Sequence, residues 1–347
     1  MRMAIQGIGV AAGFGSGVEA LRSALQAGDD RSVAESTPYR ADVAGLTEFI
    51  PKRALRRIDH FSKMTLLSAC LALKDADLLD ADRSRTGVVI ASGYGALQTT
   101  FNFLDSYLDF GYSCSSPTHF SNSVHNAAAA HVSIQLQAKA PSLTVTQFEM
   151  SVPSALLSAQ QWLADGRVDR VLFGAVDEVC DVLTYCREQF FGSGEAGPLQ
   201  PFGFDIQSAI AGEGAVFFVL GSEADTAPYG YIDGVRMGNY LVRPATLPQE
   251  DLLIIGADGH RECGRWYQQL LKDRQAAAYA PLYGSFPAAA GFDLAVAAIS
   301  QCDSRIYSSP ASGNAAATLP EQALNVESIA CLKLGTGGDY GLIHLSN

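Results

Sequence analysis

The sequence predicts an α/β protein whose sheet is covered on both faces. Strand-length apolar runs alternate with stretches of helical periodicity through the first two thirds of the chain. Runs such as "VDRVLFGAVDE" and "GEGAVFFVLG" are continuously apolar rather than alternating, as strands buried on both faces are. No low-complexity tract or linker interrupts the 347 residues, 48% of them hydrophobic, so one large core or two fused halves is expected.

The elements follow in order. "MAIQGIGVAA" is a strand, "GVEALRSALQAG" a helix ending at Gly28, and "HFSKMTLLSACLALKDADLL" a helix with apolar residues at helical spacing. "RTGVVIASG" is a buried strand, "SVHNAAAAHVSIQLQA" a helix and "LTVTQF" a short strand. That strand runs into "PSALLSAQQWLADG", a helix with Pro153 in its first turn, where a missing N–H costs nothing. After Ala224 the pattern restarts with "YGYIDGVRMG", the strand "DLLIIGADG", the helix "CGRWYQQLLKD", a helix around "GFDLAVAAISQ" and the strands "SIACLKLG" and "YGLIHLS".

A net charge of −12 argues against nucleic acid and anionic membranes, which call for basic patches. Seven scattered cysteines without a CxxC read as buried free thiols of a reducing compartment, with neither disulfides nor a zinc site. No segment reaches the roughly 20 apolar residues of a membrane span, and "MRMAIQGIGVAAG" breaks too early for a signal peptide. A cytoplasmic protein is expected, with no cofactor and no metal. The six histidines (60, 119, 125, 131, 260, 344) have no ligand spacing and read as surface or satisfied core residues. "GIGVAAG" (7–13) follows a strand in the manner of a dinucleotide fingerprint, but the next helix begins too late to meet a pyrophosphate. A turn using glycine's backbone freedom is the preferred reading. Neither GxSxG nor HExxH occurs.

One corner stands apart. "TVTQFEMSVPSAL" (144–156) takes a strand into a helix and sets Glu149 between them, where a helix N-terminus stabilises an anion. A carboxylate there gains ~0.3–1 kcal/mol from the dipole and is placed to cap the helix.

Five stretches in order resemble the β-ketoacyl synthases of the thiolase-like superfamily: "RIDHFSKMTLLSACLALKDADL", "SPTHFSNSVHNAAAA", "DGRVDRVLFGAVDE", "QPFGFDIQSAIAGEGAVFFVLGSEADT" and "LGTGGD". The resemblance implies a layered αβαβα fold of two pseudo-repeat halves, residues 1–224 and a shortened 225–347. The shortening falls at "NYLVRPATLPQE", too short and proline-rich for the helix the family carries there, which leaves part of the second sheet thinly covered. In that family a cysteine accepts the acyl chain from a carrier protein and two histidines stabilise the enolate. By register these positions hold Glu149, Asp258 and Ser285, and a supporting lysine and arginine fall on Ala280 and Ile206. A carboxylate cannot replace a thiolate in condensation, and an ionised Asp258 would repel an enolate.

The resemblance therefore implies a degenerate, non-catalytic member of the chain-length-factor kind, known in type II polyketide and aryl-polyene synthases. Such a subunit pairs with a catalytic ketosynthase as a heterodimer, works with acyl carrier protein, and shares a tunnel for the acyl or polyene chain. Its dimer contact would be the strand 143–147 and the preceding helix. Phe120, Val124, Phe148, Met150 and Thr336 are the candidate tunnel or interface residues, with ordinary core packing as the alternative for each. If Glu149 and Asp258 face each other, one would hold a raised pKa and share a proton. Two other functions remain open: a homodimeric pseudo-ketosynthase binding acyl chains or carrier protein, and a thioester-processing enzyme using Glu149 and Asp258 as an acid/base pair.

Overall fold

The structure, a computed structural model, describes residues 1–28, 38–192, 197–243, 246–247, 252–272, 274–310, 322–323 and 328–347. The first part of the chain forms β1 (Met3–Ala12), β2 (Gly15–Ser16), α1 (Val18–Ala27), α2 (His60–Asp75), β3 (Thr86–Ser92), α3 (Leu97–Phe110), α4 (Pro117–Ser123) and α5 (Ala127–Gln135). It continues with β4 (Ser142–Thr146), α6 (Ser151–Ala164), β5 (Arg170–Asp177), α7 (Asp181–Phe191) and β6 (Gly214–Gly221). Beyond it come β7 (Tyr231–Asn239), β8 (Leu252–Ile255), α8 (Arg261–Leu271), α9 (Ala290–Cys302), β9 (Arg305–Ile306), β10 (Gln322–Ala323), β11 (Ser328–Leu334) and β12 (Asp339–Ser346).

The strands pair in the order β4-β3-β5-β6-β1-β7-β12-β11-β8. Strands β4, β3 and β5 run parallel, and β6 and β1 follow antiparallel. The second part repeats this: Ala277 bridges parallel to β8, β8 runs parallel to β11, and β12 and β7 follow antiparallel. Among the described residues, β1 and β7 join the two sets through two residue pairs, Met3↔Ile232 and Ala4↔Tyr231. Apolar side chains of α6 and α9 lie between them and share one core with β1, β3, β5, β8 and β11. Helices α2 and α5 cover the outer face of the first set, and α8 that of the second. The result is five alternating layers, α/β/α/β/α, as expected.

Local chemistry explains several elements. Asp59 caps α2 by accepting from Ser62 N at 2.8 Å, and Ser116 caps α4 with Pro117 at its first position. "GIGVAAG" is strand up to Ala12, and of it only Gly13 lies in a turn. Gly7 and Gly9 lie inside β1 beneath α2, where a Cβ would come within 2.6 Å of Ala72 O and 2.1 Å of Ser68 O. Glycine is there to let a helix backbone approach a strand.

Helices α3, α4 and α7 were not anticipated as elements. Helix α7 buries none of its residues, so its apolar pattern carries no core signal. The thiols are not uniformly buried: Cys186 and Cys302 are exposed, while Cys70, Cys180, Cys263 and Cys331 are buried. The shortened connection "NYLVRPATLPQE" lies partly outside the described residues. Beside it β7 and β12 carry polar groups, with Arg236 bonded to His344 at 2.7 Å and Arg2 paired with Asp233 at 2.8 Å. No helix among the described residues is long and apolar enough to cross a membrane.

Candidate functional site

The turn after β4 places Phe148 and Glu149 at the N-terminus of α6. Phe148 has φ +45°, a left-handed conformation that costs an aromatic residue about 1–3 kcal/mol. Ser151 fixes the corner: its Oγ accepts from Gln147 N at 2.8 Å and lies within hydrogen-bond distance of Phe148 O (2.7 Å) and Ser92 O (2.9 Å). The expectation that Glu149 caps α6 does not hold. Met150 is the N-cap, with no side-chain bond. The Glu149 carboxylate instead lies beside Gly335, in the glycine loop after β11.

Asp258 and Ser285 come together on the opposite wall. Ser285 Oγ donates to Asp258 Oδ2 at 3.0 Å, and both residues are buried. Two cations complete the cluster. Lys333, from the middle of apolar β11, donates to Asp258 Oδ2 at 3.1 Å and to Gly256 O at 2.8 Å. Arg187, from α7, donates to Ser285 O at 3.1 Å, to Ser285 Oγ at 2.7 Å and to His260 Nε2. Asp258 Oδ1 is buried without a partner.

The electrostatics reverse one expectation. Burial pushes the Asp258 carboxyl up, but the cations around it, Lys333 first and Arg187 with it, outweigh burial and hold the group well below the ordinary range. Asp258 is therefore ionised, and no proton is shared through a raised pKa on it. Burial works against the Lys333 ammonium, yet Asp258, with Glu149 among the nearby anions, raises it above its ordinary value. His260 is pushed down to about 4, chiefly by burial, and so is neutral, accepting from Arg187 through Nε2. The space beside Asp258, His260 and Cys263 has no room for a water.

The remaining candidates divide. Phe120, Val124 and Phe148 are 58%, 51% and 60% exposed, so core packing does not account for them. Phe120 contacts the Phe103 ring at 5.4 Å and Phe148 the Tyr94 ring at 5.9 Å. Met150 is buried near Gly341 of β12, which is ordinary core packing. Thr336 carries the carbonyl that accepts from the Trp266 indole at 3.1 Å, tying the glycine loop to α8. Ala280 is buried, and Ile206 lies in the turn after Pro201. Lys333, Arg187 and His260 went unassigned in the sequence. Only Lys333 left a signal, as the single charge in "SIACLKLG", because a buried lysine needs a carboxylate partner.

Residues 2–226 match the family described as "Beta-ketoacyl synthase, N-terminal domain". The chain belongs to the β-ketoacyl synthase family. It is 25% identical over 193 residues to the chloroplastic 3-oxoacyl-[acyl-carrier-protein] synthase I of Hordeum vulgare, covering 51% of this chain and 42% of that protein. It is 32% identical over 158 residues to 3-oxoacyl-[acyl-carrier-protein] synthase 2 of Staphylococcus aureus strain N315, covering 42% of this chain and 38% of that one. The matched stretch thus spans less than half the length of these curated relatives. Among solved structures, a β-ketoacyl synthase from Burkholderia phymatum STM815 superposes with a TM-score of 0.80 at 16% identity, covering 100% of this chain and 99% of that one. The ishigamide ketosynthase/chain length factor gives 0.80 at 19% identity with the same coverage. These two establish the fold.

Proposed function

We propose that this protein is the non-catalytic, chain-length-factor-like partner of a catalytic ketosynthase, acting in polyketide or polyene chain elongation on acyl carrier protein. The observation that carries the reading is the Arg187–Ser285–Asp258–Lys333 network. Where a condensing enzyme needs neutral or cationic donors facing an enolate, this chain holds an ionised carboxylate already bonded to a serine and a lysine, with a guanidinium over the serine. Glu149, at the nucleophile position, is no substitute for a thiolate.

The open edge of the sheet supports pairing. Among the described residues strand β4 bonds to β3 alone, and Phe120, Val124, Phe148 and the α3 residues Leu108 and Phe110 are exposed. An edge strand and a set of exposed apolar side chains suit a partner subunit and a shared acyl tunnel. Phe120, Val124 and Phe148 are the residues proposed to face that partner, and Thr336 to border the inert site. The division into halves 1–224 and 225–347 belongs to the same proposal, supported by the repeated strand order. The acid/base alternative is disfavoured because Asp258 Oδ2 is already engaged by Lys333 and Ser285 and the space beside it has no room for a water.

Native mass spectrometry of the tagged protein purified from its own host tests the reading. A one-to-one complex with a ketosynthase that carries one cysteine and two histidines at these positions is the expected result. A homodimer without such a partner would overturn it in favour of a homodimeric pseudo-ketosynthase.

A further inference from the structure

We infer that α7 is a lid over the Asp258–Ser285 site, latched by Arg187 and free to open while the rest of the fold stays intact. The helix is attached unusually lightly. None of its residues is buried, whereas in α9 every residue from Ala290 to Gln301 is. Segments with few buried apolar contacts open at lower free energy than the global fold. Val182, Tyr185 and Phe190 face solvent at 41%, 61% and 79% exposure, so apolar packing is not what seats the helix.

Its side-chain attachments are few: at the N-terminal end Asp181, itself exposed, lies 3.7 Å from Arg40, and Arg187 holds the helix to the site. Arg187 makes three contacts with the body, to Ser285 O, Ser285 Oγ and His260 Nε2, and all three fall on the site itself. Phe191 adds a ring contact with the same His260 at 4.3 Å. The two ends suit a hinge. At the N-terminus Val179 and Cys180 are buried, and Cys180 Sγ accepts from Leu183 N at 3.4 Å. At the C-terminus Gly192 has φ +83°, a conformation glycine adopts without strain. Between lid and body a cavity of about 10 Å³, bordered by Tyr94, Asp177, Leu183, Arg187 and Phe286, holds at most one water. Withdrawal of Arg187 would open this cavity toward Ser285 and the unpartnered Asp258 Oδ1.

The inference deepens the proposed function, since a shut lid keeps an acyl chain out of the inert half-site. Lid opening is measured without any condensation assay, so either reading can fail alone. The experiment is hydrogen exchange combined with thiol labelling of the intact chain, with and without any co-purifying subunit. In the wild type, amides of residues 184–191 should exchange faster than those of α2 and α9. In Arg187→Ala, labelling of Cys180 should rise about tenfold or more, as expected when charge-assisted hydrogen bonds are lost. Cys70 and Cys331 should label at unchanged rates, and exposed Cys302, at the end of α9 and away from the lid, serves as the reference. Arg187→Lys keeps the charge but not the fork and should fall between wild type and Arg187→Ala. Exchange of α7 no faster than α2 and α9 in the wild type would overturn the inference. So would an unchanged Cys180 rate in Arg187→Ala, or Cys180, Cys70 and Cys331 rising together in both variants.

Discussion

Lys333 Nζ stands 3.1 Å from Asp258 Oδ2, with 3% and 8% of the two side chains exposed. A buried pair of this kind is costly to break, because the survivor is left charged in a medium that solvates it poorly. Lys333→Met should lower the unfolding free energy by about 3–5 kcal/mol. The double variant Lys333→Met with Asp258→Asn should recover most of that loss. Urea denaturation of the three proteins measures both steps.

On the proposed reading, a nucleophile supplied at position 149 should not by itself confer condensation. Glu149→Cys would place a thiol at the head of α6, but Asp258 and Ser285 would still occupy the positions where, on that reading, the enolate needs donors. The variant is expected to react with a thiol reagent at the new position and to release no more condensed product than wild type from acyl- and malonyl-carrier substrates. Mass spectrometry of the carrier-bound products reads the outcome.

Stability should fall as pH rises from about 5 to 8. Burial, helped by the charges of Asp59 and Glu213, pushes Glu178 up to about 8, and burial raises Asp293 to about 7 and Asp177 to about 6. In the unfolded chain such carboxyls release their protons near pH 4–4.5. Between those values the folded state holds more protons than the unfolded one, so each unit of pH favours unfolding. Glu178→Gln should remove part of the slope, worth up to about 4 kcal/mol across the interval. Denaturation series at pH 5, 6.5 and 8 check the sign and the size.

The two faces of β1 and β7 make opposite demands on glycine. A Cβ on Gly9 would sit 2.1 Å from Ser68 O in α2, whereas one on Gly234 would meet nothing within 4 Å. Gly9→Ala should destabilise by about 3 kcal/mol or more, since strand and helix backbones must separate. Gly234→Ala should change stability by less than about 1 kcal/mol. Thermal melts of the two variants suffice.

The strands and the core helices were legible because burial writes itself into sequence as uninterrupted apolar runs, as in "RVLFGAV" and "GAVFFVLG". Helix α7 was not, since a helix that buries nothing leaves no stripe to read. Of the candidate site, Glu149, Asp258 and Ser285 were proposed by register with known motifs, and the structure bonds Ser285 to Asp258. Arg187 could not be, because its role depends on where an exposed helix comes to rest. Lys333 stood in view as a lone charge in a buried strand, but which carboxylate it meets is settled only when β11 lies against β8. The glycines of β1 were read as a turn because periodicity records which residues are apolar and not how closely two backbones approach.

Among the described residues the sheet has one margin suited to pairing. At that end β4 has β3 as its strand neighbour, while at the other Ala276, Ala277 and Ala278 are fully buried, with Ala278 N bonded to Ser309 Oγ at 2.8 Å. Growth by strand addition therefore terminates after a single joining event: once two such margins have met, neither member has another to give. A chain built this way is protected by geometry from forming fibres along its sheet, whichever companion it takes.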